Sequence, residues 1–85
     1  MYLHLGKGSV ISTDEIIGIF DLDITSQSHL TRSFLAAAEK AGQVINATAD
    51  IPKSFIAAEC AGKRRVYLSQ MAAATLLKRA EAGTL

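Results

Sequence analysis

The sequence predicts an α+β fold: about six short strands in a mainly antiparallel sheet, with two helices, in the order βββαβββα. Three observations carry this. Short apolar runs come in two clusters, broken by Gly, Asp and Pro. Each cluster is followed by a segment whose apolar residues recur at helical spacing. The chain has 85 residues, enough for one domain, so residues 1–85 are read as a single unit sharing one core.

Tyr2-Leu3-His4-Leu5 reads as a strand, Gly6-Lys7-Gly8 as a turn, and Ser9-Val10-Ile11-Ser12 as the returning strand. Thr13-Asp14 breaks the pattern. Glu15 to Phe20 is apolar enough to predict a strand buried on both faces. Asp21 to Ser28 is polar, and Thr25, Ser26 and Ser28 are candidate N-caps. Leu30, Phe34, Leu35, Ala38 and Ala41 then define the apolar side of a helix, with Gly42 placed to end it. Gln43 to Ala47 is a strand, and Thr48 to Lys53 is a loop holding the only proline, Pro52. Ser54–Ala58 and Arg64–Leu68 are strands joined by a turn over Glu59–Lys63. Ser69 is expected to cap a second helix. Ala72, Leu76 and Ala80 lie on one face of it with Ala73 and Leu77 beside them, and Gly83 ends it.

Half the chain is hydrophobic (49%) and a fifth is charged. A chain this short buries roughly 60% of the surface its unfolded form exposes. Some apolar surface is therefore left for a partner, and a second copy of the chain is the simplest one. The net charge of +1 excludes a strongly basic, globally electrostatic nucleic-acid binder. It leaves room for a local basic patch that repeats in an oligomer. One cysteine, Cys60, makes no internal disulfide and suits a reducing compartment. No run reaches the ~18 apolar residues of a membrane span, and the first residues lack the pattern of a signal peptide. A cytoplasmic protein is expected.

Catalytic and metal chemistry are poorly provided for. Asp21 and Asp23 could in principle do acid–base work, but carboxylates ahead of a helix more simply complement its positive end. His4, His29 and Cys60 lack the close spacing of a zinc site. Gly6-Lys7-Gly8 lacks the spacing of a phosphate loop and does not lead into a helix. No Ser, Thr or Cys has an evident base to activate it. The expectation is no enzyme, no cofactor and no metal. The basic residues are more informative. Lys63-Arg64-Arg65 forms a run at a hairpin, Lys53 follows Pro52, Lys7 sits at a loop tip, and Lys78-Arg79 ends the last helix. Such side chains grip phosphates. The plainer alternatives are protection of an edge strand and complementation of a helix C-terminus.

Several stretches, taken in order, resemble one family. They are Tyr2-Leu3-His4-Leu5-Gly6, Ile16-Ile17-Gly18-Ile19-Phe20-Asp21-Leu22, Thr31-Arg32-Ser33-Phe34-Leu35, Asp50-Ile51-Pro52-Lys53-Ser54-Phe55, and Val66-Tyr67-Leu68-Ser69 followed by Thr75-Leu76-Leu77-Lys78-Arg79. Over Tyr2 to about Ala80 the chain is similar to the RemA/RemB extracellular-matrix regulators, and more to the RemB branch. The resemblance implies a bacterial regulator of biofilm-matrix genes, a ring-like homo-oligomer, double-stranded DNA as partner, and no cofactor or membrane. A RemA-like paralogue is a further possible partner. The RemA branch carries an Arg-Arg pair where Ile51 and Pro52 stand here, and an Arg near Glu15. Any DNA contact in this chain is therefore expected to fall on Lys53, Arg64 and Arg65, with Lys7 in support. A self-assembling subunit that does not bind DNA is the competing expectation.

Overall fold

The computed structural model describes residues 2–6, 8–22, 29–48 and 50–82. The elements follow the expected order: β1 (Tyr2–Gly6), β2 (Ser9–Ser12), a 3-10 turn (Thr13–Glu15), β3 (Ile16–Asp21), α1 (His29–Lys40), β4 (Val44–Asn46), β5 (Ser54–Cys60), β6 (Lys63–Ser69) and α2 (Ala73–Ala82). The expected single sheet is two. β1 and β2 form an antiparallel hairpin, and the other strands form a four-stranded sheet in the order β3-β5-β6-β4. The division falls at Thr13–Glu15, where Ser12 Oγ accepts from the Asp14 N–H and the chain turns away from the hairpin. Pairing in the larger sheet is antiparallel except between β4 and β6, which run parallel.

β5 is one of the two interior strands, and Ser54 to Ala58 are all buried. Successive side chains leave a strand on opposite faces. Ile56 and Ala58 enter a core with Leu3, Leu5, Ile11, Ala47 and Leu76, closed by the β1–β2 hairpin and α2. Phe55 enters the other, with Val66 and Ala38 of α1, flanked by Leu35, Val44 and Leu68. The expectation that β3 is buried on both faces does not hold. β3 is an edge strand, and Ile17 is 65% exposed. A register shift between Ile16 and Gly18 leaves Ile17 outside the ladder.

Helix α1 ends in a Schellman motif. Gly42, at φ 72°, donates to the Glu39 carbonyl, and Gln43 donates to that of Ala38. Its expected apolar side is divided. Leu35 and Ala38 pack inward, whereas Leu30, Phe34 and Ala41 are exposed. At 3.6 residues per turn, Leu30, Phe34 and Ala41 lie about a quarter turn from the packed residues. On α2, Leu76 is fully buried but Leu77 is half exposed. The helix begins at Ala73, too late for Ser69 to be its cap, and Ala72 precedes it. Thr25, Ser26, Ser28 and Gly83, assigned to the helix ends, lie outside the described residues.

Ser69 joins the two sheets instead. Its buried hydroxyl donates to the Leu5 carbonyl at 2.6 Å and accepts from the Met71 N–H at 3.1 Å. Ser54 Oγ donates to the Met71 carbonyl at 2.7 Å. Ser69→Ala should leave the buried Leu5 carbonyl without its donor and cost about 1–3 kcal/mol. An unchanged midpoint in urea unfolding would refute this bridge.

Candidate nucleic-acid interface

The basic run sits on the tip of the β5–β6 hairpin. Its turn is shorter than expected: Cys60 pairs with Lys63, so only Ala61 and Gly62 lie between the strands. Both have positive φ, 53° and 79°, as a two-residue primed turn requires. Lys63, Arg64 and Arg65 are thus strand residues, all exposed. Strand alternation sends Arg64 to the α1 face and Lys63 and Arg65 to the other. Arg64 Nε lies 3.5 Å from Glu59 Oε1 across the strand pair, an exposed ion pair worth about 0–1 kcal/mol.

A shallow concavity on the hairpin is lined by Gly42, Gln43, Ile45 and the run Gly62 to Arg65. A second one holds Glu15, Cys60, Lys63 and Arg65. There the Cys60 thiol is held above its usual pKa, chiefly by its hydrogen bond to Glu15 and then by that carboxylate's charge, while Arg65 opposes the shift. Thiolate is the reactive form. Cys60 should therefore alkylate more slowly at pH 8 than an unperturbed cysteine, although it is exposed. Glu15→Gln should speed the reaction; equal rates in parent and variant would refute the contact.

Lys53 lies elsewhere. It precedes Ser54, at the end of β5 opposite the turn. The six steps from Ser54 to Cys60 span about 20 Å. Its backbone is pinned on both sides: its N–H donates to the Ser69 carbonyl at 2.8 Å and its carbonyl accepts from Leu22 at 3.0 Å. The preceding loop is tied by Thr48, which donates to Gln70 Oε1 and accepts from the Asp50 N–H. The side chain of Lys53 is exposed. The expected contacts thus fall at two separate places, Lys53 and the hairpin. Lys7 and Asp23 lie outside the described residues.

The other side chains singled out are scattered. His4 is on β1, His29 opens α1, and Asp21 closes β3 opposite Ser54. Among the described residues, no three His, Cys, Asp or Glu side chains gather as metal ligands would. No helix among them is long and apolar enough to cross a membrane.

What sequence reasoning missed is an apolar groove beside α1. Ile17, Phe20, Leu30 and Phe34 line it, and all four are among the exposed large hydrophobic residues. The four-residue spacing of Leu30 and Phe34 was legible, but it pointed to the core.

Comparison with known proteins gives the context. Residues 2–80 match the RemA-like family, described as extracellular matrix regulatory protein A-like. The chain is 33% identical over 81 residues to extracellular matrix regulatory protein B of Bacillus subtilis (strain 168), covering 95% of this chain and 91% of that protein. With the family pattern matched almost end to end on an α+β fold, the chain belongs to the RemA/RemB family of extracellular matrix regulators, in its RemB branch.

Proposed function

We propose that this protein is a non-enzymatic, cytoplasmic, DNA-binding transcription regulator that acts as a ring-like homo-oligomer on biofilm-matrix genes. The observation that carries the reading is the exposed Lys63-Arg64-Arg65 run on a projecting hairpin. A two-stranded ribbon with basic side chains on both faces suits contact with phosphates along a groove of double-stranded DNA. The charge of one chain is small, so several subunits must engage together, and multivalence then supplies the affinity. Exposed apolar side chains outside the groove beside α1, namely Tyr2, Val10, Ile51 and Leu77, offer surface for self-association.

A second reading is a self-assembling subunit that partners a RemA-like paralogue without gripping DNA. The pairing of Arg64 with Glu59 favours it, because it reduces the free charge on that face of the hairpin. A salt-titrated DNA-binding assay, on material whose mass is fixed by light scattering, separates the two. The first reading expects an oligomer whose DNA affinity falls steeply with salt. A monomer at micromolar concentration would refute the assembly. An oligomer with no salt-sensitive DNA binding would leave the second reading.

A further inference from the structure

α1 packs over the β6–β4 side of the sheet, through Leu35 and Ala38 against Val66, Val44 and Leu68. The β3–β5 side of the same face has no covering element among the described residues. The result is a groove of about 670 Å³, a size typical of small-molecule sites. Its two ends differ in chemistry. One is aromatic: Phe20 stacks on Phe55 with centroids 4.9 Å apart, and Phe34 tilts against Phe55 at 6.1 Å. The other reaches the hairpin at Arg64, the arginine on this face of β6. Between them Ala57 contributes only a methyl group to the floor. Phe55 and Glu59, the cross-strand partner of Arg64, are four residues apart on β5, so the ends are about 13 Å apart.

We propose that this groove binds a free amphipathic anion, a single-chain carboxylate whose aliphatic body lies along Ala57 toward Phe55 and whose head sits on Arg64. Charge complementarity decides the occupant. An apolar wall alone would accept any greasy surface, but the Arg64 guanidinium at one end selects a molecule with one negative end. Glu59 does not bar the head, because its pairing with Arg64 is exposed and weak. The ligand's carboxylate displaces it while the tail is removed from water. One consequence rests on the DNA-binding reading above. Arg64 would hold either the carboxylate or a phosphate, so the anion would release DNA.

The test is calorimetric titration of the intact protein with monomeric dodecanoate, using dodecyltrimethylammonium as the charge-reversed probe. Dodecanoate should saturate at one site per chain and bind at least about tenfold more tightly than the cation, the equivalent of one charge-assisted hydrogen bond. Arg64→Gln should weaken dodecanoate by about tenfold and, by freeing Glu59, leave the cation bound at least as tightly. Ile17→Ser, at an exposed position in the groove wall, should weaken both. Equal affinity for the two probes, or no effect of Arg64→Gln, overturns the proposal. So does a fall in particle mass as dodecanoate binds, because the groove would then be a contact with a second copy. Competition is read separately: saturating dodecanoate should weaken DNA binding, and undiminished DNA binding overturns the regulatory consequence. Dodecanoate binding by a protein with no affinity for DNA supports the site and removes the DNA-binding function instead.

Discussion

Replacing Lys53, Arg64 and Arg65 together by alanine is expected to abolish most of the salt-sensitive DNA affinity while leaving the oligomer intact. Each phosphate contact contributes about 0.9 to the slope of log affinity against log salt. Removing all three cations from each engaged subunit should flatten that slope by nearly three units per subunit. The geometry adds a sharper form of the test. Lys53 and the hairpin stand at opposite ends of β5, too far apart to share a phosphate. The losses in Lys53→Ala and in the Arg64→Ala, Arg65→Ala pair should therefore be additive. All three side chains are exposed, so folding should be unaffected. A triple variant that binds as tightly as the parent, with the same slope, would remove these residues from the interface.

Ile56→Ala should cost about 2–5 kcal/mol of folding stability. At roughly 0.05–0.15 kcal/mol per residue, a domain of this size has about 4–13 kcal/mol in all, so one substitution would remove a large part of it. Ile56 is fully buried. It lies in an interior strand between Ile19 of β3 and Tyr67 of β6, and it meets Leu3, Leu5 and Leu76 in the larger core. The hairpin, the sheet and α2 all converge there, so a cavity at this point loosens three elements at once. Urea unfolding checks it, and a loss below about 1 kcal/mol would mean that the layers do not depend on this contact.

The element order was readable because each signal is local. Gly42 ends α1 through two hydrogen bonds within six residues, and the β5–β6 turn needs only Ala61 and Gly62. The basic run was readable for the same reason. Apart from the length of that turn, expected over Glu59–Lys63, the assignments that failed concern surroundings. Glu15 to Phe20 has the composition of a buried strand, yet β3 is an edge, because burial depends on what pairs beyond it. Ser69 has the chemistry of a helix cap, yet its hydroxyl meets Leu5, sixty-four residues away.

By itself, then, the sequence determined the α+β class, the order of strands and helices, the family and the basic hairpin. Those follow from periodicity, turn chemistry and residue identity over a few consecutive positions. Only the tertiary structure decided that the strands form two sheets, that β5 is interior and β3 an edge, and that Lys53 stands apart from Arg64 and Arg65. It also decided that, among the described residues, α1 leaves half of one sheet face uncovered, with Phe20, Phe34 and Phe55 along a groove that ends at Arg64. Those outcomes depend on pairing between segments far apart in the chain. A strand's own side chains show two faces to be covered, but what covers them is set by the path of the rest of the chain.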